Sequence, residues 1–252
     1  MSHHVDADAL LRSQIDYYRV HAPRYDDWWE RRGSHDLGAE FNEAWFGEVE
    51  RLYGALDEFG PSGDVLELAA GTGIWTTRLA SHASSITALD ASAETLERNA
   101  RKLTNSDVPV EFVTADIFTW VPHRPFDVVT FAFWLSHVPE TRFDEFWDLV
   151  GRALRPGGRV FFADNAAPSA AQPTRGRFAV RDGIAEGVNS LTDLKNGTSI
   201  RRVADGRTFE IVKVYREPDV LRARLAGLGW DVTVATTDWA FVYGFGTVRE
   251  RR

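Results

Sequence analysis

The apolar positions along the chain change their spacing once, near residue 60. Before that point Leu10, Leu11, Ile15 and Tyr18 recur at helical spacing, and Phe41, Trp45, Val49, Leu52 and Leu56 follow at i, i+4, i+8. The pattern predicts helices across 6–59, interrupted at Pro23 and Gly33 and ending near Gly60-Pro61. From Gly63 onward, short apolar runs at 65–69, 86–90, 110–115, 127–133 and 159–164 read as strands. Helical patterns at 73–81, 93–103 and 142–154 fall between them. This alternation predicts an α/β fold with a doubly wound, mostly parallel sheet and helices on both faces. The runs Val128-Val129-Thr130-Phe131-Ala132-Phe133 and Val160-Phe161-Phe162-Ala163 are nearly continuous in apolar character, as buried parallel strands require.

The regularity ends after Asn165. Residues 166–197 are rich in small and polar types and read as a loop with one short helix around 178–187. The stretches 200–203 and 207–215, joined through Ala204-Asp205-Gly206, read as a hairpin on a favoured Asp-Gly turn. A helix at 220–228 stops at Gly229, and two closing strands at 230–236 and 239–245 bring the main sheet to seven.

Composition narrows the function. The chain has 252 residues and no cysteine, which excludes disulfides, zinc–thiolate sites and cysteine nucleophiles. No apolar run approaches the roughly 20 residues needed to span a bilayer. The start, Met1-Ser2-His3-His4-Val5-Asp6, lacks a basic-then-apolar signal, so a soluble cytoplasmic protein is expected, with no membrane association. Net charge is −8, and the compact basic groups are few, so no nucleic-acid partner is expected. The oligomeric state is not legible.

The chemistry concentrates at predicted strand ends, where doubly wound sheets bind ligands. The first strand runs into Glu67-Leu68-Ala69-Ala70-Gly71-Thr72-Gly73, a glycine turn that opens a helix. Glycines allow close backbone approach and the helix N-terminus offers free N–H groups, the usual elements of a nucleotide site. A carboxylate at Glu67 suits a cationic ligand better than a phosphate. The second strand ends at Asp90, placed to accept from ribose hydroxyls. Asp116 follows the third strand, and its side chain suits either an exocyclic amine or a turn cap. The fourth strand runs into Phe133-Trp134-Leu135-Ser136-His137-Val138-Pro139. Pro156-Gly157-Gly158 forms a tight turn before the fifth, which ends in Asp164-Asn165.

This ordered set resembles the class I S-adenosylmethionine-dependent methyltransferases, over roughly residues 63–165. A dinucleotide site is disfavoured, because Thr76 stands where the last glycine of that motif belongs. One position departs from the family pattern: Ala69 replaces the first glycine, harmless if its φ stays negative. The resemblance implies S-adenosylmethionine as cofactor and S-adenosylhomocysteine as product. It places Glu67 at the methionine amino group, Ala69, Gly71 and Gly73 along the methionine and ribose, and Asp90 on the ribose diol. Ala91, Ser92, Asp116 and Ile117 would border the adenine, and Phe133 would present backbone groups to the amino end. It also implies four regions: an N-terminal helical cap at 1–60, the cofactor-binding core at 61–165, a substrate-cap insertion with a hairpin at 166–216, and a C-terminal helix with closing antiparallel strands at 217–252.

The aromatic run Tyr17-Tyr18 through Tyr25-Asp26-Asp27-Trp28-Trp29 serves either as a lid with cation–π contacts to a sulfonium or as an apolar anchor for the helices. Tyr18 and Tyr25 are assigned to the cofactor side, and Trp28, Trp29, Trp134 and Phe178 to the substrate side. Trp45 and Tyr215 join the cap. Arg175, Arg177, Arg181, Arg201 and Arg202 are read as solvated in preference to ligand-binding. Methyl transfer is an in-line displacement in which the protein chiefly aligns the reactants. Where the acceptor loses a proton, His137 and Asp164 are the candidate bases. Asp164-Asn165 is similar to the magnesium-binding pair of catechol-type O-methyltransferases, but the fourth strand supplies no matching acid, so no metal is expected. The leading expectation is metal-independent transfer to an oxygen or nitrogen of a small, partly aromatic or apolar molecule. The alternatives are a methyltransferase of tRNA or protein and a non-catalytic cofactor-binding protein.

Overall fold

The computed structural model describes residues 6–168, 179–181, 184–187 and 189–249. Three helices lead the chain: α1 (Ala7–His21), α2 (Tyr25–Trp29) and α3 (Ala39–Phe59). The Asp6 carboxylate caps α1 by accepting from the Asp8 N–H at 3.0 Å. Pro23 lies in a 3₁₀ turn between α1 and α2, where a missing N–H costs nothing. There follow β1 (Asp64–Leu68), α4 (Ile74–Leu79), β2 (Ser85–Asp90), α5 (Ala93–Lys102), β3 (Val110–Thr114), β4 (Phe126–Ala132), α6 (Phe143–Ala153) and β5 (Leu154–Asn165). Then come β6 (Ala179–Arg181), β7 (Ile184–Gly187), β8 (Ser190–Asp193), β9 (Thr198–Arg202), β10 (Thr208–Val212), α7 (Pro218–Gly227), β11 (Trp230–Thr236) and β12 (Phe241–Val248).

Seven strands form the central sheet in the order β3-β2-β1-β4-β5-β12-β11. All neighbours are parallel except β12, which is antiparallel to both β5 and β11. Two apolar layers cover it. Leu66 and Leu68 of β1 pack with Phe146, Trp147 and Leu225 on one face, and Val65 packs with Leu52, Leu79 and Phe161 on the other. The two-residue period of the strand carries Glu67 to the same face as Val65, toward α4. The expected Pro156-Gly157-Gly158 turn lies within β5, whose ladder with β4 slips between Phe126 and Val128 while Gly157 takes φ 77°.

A second, antiparallel sheet has the order β10-β9-β8-β7-β6. The expected hairpin is its β9–β10 pair. The short helix expected around 178–187 is not formed: the described residues there are the strands β6 and β7, paired antiparallel. β7 also pairs with β8, Ala185 opposite Thr192, and this two-sided ladder overrides local helical patterning. α1 lies against the second sheet through Tyr17, Val203 and Ile211. The Val214 N–H donates to the Ser136 carbonyl at 2.8 Å and ties this sheet to the end of β4.

Candidate active site

The glycine turn follows β1 and bends back over the sheet edge. Gly73 has φ 89°, and a Cβ there would stand 2.4 Å from the Asn99 amide oxygen, so only glycine fits. Ala69 is at φ 53°, in the left-handed region, and Phe133 at the end of β4 is at φ 55°. The condition under which alanine is harmless there, a negative φ, is therefore not met: alanine occupies a conformation that costs about 1–2 kcal/mol for a residue with a Cβ. Both residues line one cavity at the carboxyl ends of β1 and β4.

Carboxylates surround that cavity. Asp90 accepts from the Gly71 N–H and the Ser92 N–H, each at 2.9 Å, and from the Thr95 hydroxyl at 3.1 Å, so it fixes the turn that it borders. Burial raises its pKa. Asp116 uses one oxygen to cap its own turn, accepting from the Phe118 N–H at 2.9 Å, and lies on the cavity wall. Glu67 is buried beneath the turn, accepts from the Thr76 hydroxyl at 2.6 Å, and Thr76 in turn accepts from the Asn99 amide at 2.7 Å. Burial, reinforced by the Asp90 charge, pushes the Glu67 carboxyl up to about 8. A buried carboxyl of this kind favours a cation that compensates its charge.

The N-terminal helices close the cavity from above. Leu11, Gln14, Ile15 and Tyr18 project from one face of α1, and Tyr25 from α2. Asp26 clips α2 to the glycine turn by accepting from the Thr72 hydroxyl at 2.5 Å and pairing with Lys102 at 2.7 Å. The amide nitrogen of Gln14 reaches the His137 carbonyl at 3.4 Å, while its amide oxygen is buried without a partner.

Counted out to its open mouth, the cavity spans about 780 Å³, and a larger one, about 1400 Å³ on the same count, lies between α1, α2 and the second sheet. The two share Tyr18, Tyr25, Phe133 and His137. His137 Nδ1 faces the Val212 carbonyl at 2.8 Å, and a carbonyl only accepts, so Nδ1 carries the proton. His137 Nε2 therefore accepts from the Tyr18 hydroxyl at 2.8 Å. Burial, and after it the Lys213 charge, holds His137 well below its ordinary pKa, so the ring is neutral. Asp164 accepts from the Ser136 N–H at 2.7 Å and the Ser136 hydroxyl at 2.8 Å, with Lys213 Nζ 3.7 Å away. Lys213 also donates to the Ser136 hydroxyl at 2.8 Å. Among the described residues, no group of three or more His, Asp or Glu side chains could hold a metal ion.

Comparison with known proteins decides the family. A family model described as a methyltransferase domain matches residues 65–158. The solved DhpI–SAH complex superposes with a TM-score of 0.73 and 35% identity, covering 97% of this chain and 99% of that one. The chain belongs to the S-adenosylmethionine-dependent methyltransferases. The DhpI–SAM–HEP complex gives a TM-score of 0.69 over 97% of this chain and 98% of that one, again at 35% identity. A demethylmenaquinone methyltransferase from Clavibacter sepedonicus is 39% identical over 44% of this chain and 45% of its own length. The chain spans about half the length of the first curated relatives it matches, 45% and 54%.

Within the methyltransferase, the smaller cavity brings together Tyr18, Tyr25, Ala69, Gly71, Asp90, Ala91, Ser92, Asp116, Ile117 and Phe133. Glu67 borders a small space beneath the turn, and Gly73 shapes the turn from behind. Of the substrate-side assignments, Trp28 faces the larger cavity. Trp29 turns into the core, donating from its indole to Tyr53 at 3.1 Å and packing on Phe133 and Phe241, and borders the small space beside Glu67 rather than the larger cavity. Trp134 faces the smaller cavity. Phe178, Arg175 and Arg177 lie outside the described residues, as does the side chain of Arg181. Trp45, Tyr215, Arg201 and Arg202 line the larger cavity. Sequence reasoning did not assign Leu11, Gln14 and Ile15 to a site, although their spacing with Tyr18 marks one helix face. It also did not assign Arg31, His21, His35 and Lys213, which meet only through the fold.

Proposed function

We propose that this protein transfers a methyl group from S-adenosylmethionine to an oxygen or nitrogen of a small, partly aromatic or apolar molecule without a metal. The observation that carries this reading is the shared wall: Tyr18, Tyr25, Phe133 and His137 border both cavities. The residues of the smaller cavity fit the cofactor. Asp90 and Asp116 stand ready for hydroxyl and amine donors, Glu67 for a cation, and the unpartnered Gln14 oxygen for a further donor. When bound, the cofactor supplies a sulfonium-activated methyl group. The acceptor occupies the larger cavity against Trp28 and Trp45, whose rings exclude water and align it with the junction.

In this reading residues 1–60 act as a helical cap over the core at 61–165. The insertion at 166–216 closes the acceptor side, and 217–252 completes the core. Tyr18 is the hydroxyl that meets the acceptor, and His137 acts through it: its Nε2, which accepts from the phenol, orients that hydroxyl and takes its proton when the acceptor gives one up. Asp164 has a positioning role, since both its oxygens hold Ser136 and with it the turn that carries His137. The test is turnover with methyl-labelled S-adenosylmethionine against pools of small aromatic acceptors, bulk tRNA and a protein lysate. Label entering small molecules is expected; label entering only tRNA or protein sinks the reading.

A further inference from the structure

The walls of the larger cavity are unusually basic for a chain of net charge −8. Among the described residues, Arg31, Arg201, Arg202 and Lys213 border it, against the single carboxylate of Glu186. Of these, Arg31 and Arg201 have no carboxylate within salt-bridge distance among the described residues, and the Arg201 Nε is buried without a hydrogen-bond partner there. Arg31 is 6% exposed and has a backbone carbonyl, His35 O at 3.0 Å, and the rings of Trp45 and Phe41 rather than an acid as its close contacts. Lys213 is 3% exposed and pairs at 3.7 Å with Asp164, an acid that also accepts twice from Ser136, so its charge is only shared with that acid.

In the neighbouring groups the positive charge acts in the same direction as burial, which is the larger influence. Burial and then the Arg201 charge lower the pKa of His21, and burial and then Arg31 lower His35 to about 4. Burial takes Lys213 down to about 8, with Asp164 opposing and Arg201 assisting. Uncompensated positive charge in a half-enclosed space costs free energy unless a bound anion offsets it. Arg201, expected as a solvated loop arginine, stands on β9, is only partly exposed and lines the cavity, whereas Arg202 beside it in sequence is exposed.

We propose that the methyl acceptor carries an oxyanion, a carboxylate or a phosphorus oxyacid, seated between Arg201 and Lys213 with Arg31 behind it. This rests on the methyltransferase reading of the same site and adds the charge of its acceptor. The aromatic side of the cavity takes the apolar body, and the basic side takes the charged end and sets the direction in which the acceptor points at the junction. A guanidinium matches either oxyanion through paired N–H donors.

The test uses the 252-residue chain saturated with S-adenosylhomocysteine. Acetate, methylphosphonate and the neutral isosteres acetamide and dimethyl methylphosphonate are titrated while tryptophan fluorescence is followed, since Trp28, Trp45 and Trp239 border the cavity. One or both anions are expected to saturate while the neutral isosteres do not. Acetate alone would identify a carboxylate and methylphosphonate alone a phosphorus oxyacid. Arg201→Gln is expected to weaken the saturating anion by roughly tenfold or more, with partial recovery in Arg201→Lys. Neutral isosteres that bind as well as the anions would overturn the proposal, as would anion binding that Arg201→Gln leaves unchanged. Calorimetry with S-adenosylhomocysteine separates the two levels. Cofactor binding without an anion preference defeats only this inference, whereas failure to bind the cofactor defeats the methyltransferase reading itself.

Discussion

Tyr18 and His137 stand 119 residues apart in the chain and meet at 2.8 Å, phenol on imidazole. The contact joins α1 to the turn after β4 at the wall common to both cavities. Because His137 Nδ1 is committed to the Val212 carbonyl, the imidazole can only accept from Tyr18. Tyr18→Phe keeps the ring and removes only the hydroxyl. With an acceptor that loses a proton, kcat is expected to fall about 10²-fold or more while S-adenosylhomocysteine affinity in calorimetry stays within a factor of a few. Unchanged turnover would reduce the hydroxyl to a packing role.

Glu67 provides a proton-linked signature of cofactor binding. Its carboxyl, raised to about 8 from an ordinary 4.5, is protonated at neutral pH. A raised acid pKa means the folded state holds the proton longer than the unfolded chain. Its contribution is therefore fully favourable at low pH and is lost as pH rises from about 4.5 to about 8. A cation placed beside it reverses the preference and releases a proton. Binding of S-adenosylmethionine is expected to strengthen between pH 6 and pH 8, and calorimetry at pH 7 in buffers of different ionisation enthalpy should report about one proton released per site. No buffer dependence would mean that Glu67 does not face the ligand's charge.

Asp90→Ala removes three accepting contacts, to Gly71, Ser92 and Thr95, as well as the group that faces the cavity. Cofactor affinity is expected to drop by about 1–3 kcal/mol. Equal affinities of wild type and variant would take Asp90 out of the binding site.

Ala69→Gly addresses the departure from the glycine pattern. At φ 53° a Cβ is a liability, and glycine removes it at the cost of extra freedom in the unfolded chain. The net is expected to be a stabilisation of about 0.5–1 kcal/mol, read as a higher midpoint in thermal denaturation. A lower midpoint would show that the methyl group contributes packing that outweighs the backbone strain.

Activity is expected to survive EDTA. Both oxygens of Asp164 accept from Ser136, and the positive charge beside them comes from Lys213, 3.7 Å away. A strict magnesium requirement restored by adding the ion back would revive Asp164-Asn165 as a metal-binding pair.

Much of the core was legible because its signals are local. The alternation that predicts strands at 65–69 and 127–133 reflects burial on both faces, and the structure places those strands within a residue or so. Gly73 and Asp90 could be found because each is tied to a strand end, and strand ends in a parallel sheet converge on one edge. The second sheet was less legible. Its β8–β9 and β9–β10 connections carry turn signals, Asn196-Gly197 and Asp205-Gly206, whereas β6 and β7 exist through pairing with each other and with β8.

By itself, the sequence determined the doubly wound core, the glycine turn and the order of acids that marks an S-adenosylmethionine site, since each depends on spacing within a few residues. Only the tertiary structure decided that Ala69 is left-handed, that Trp29 faces the core while Trp28 faces the larger cavity, and that Arg31, Arg201 and Lys213 line one cavity. Those facts depend on segments far apart in the chain. Charge and shape complementarity toward an acceptor arise from such long-range meetings, which no local period encodes.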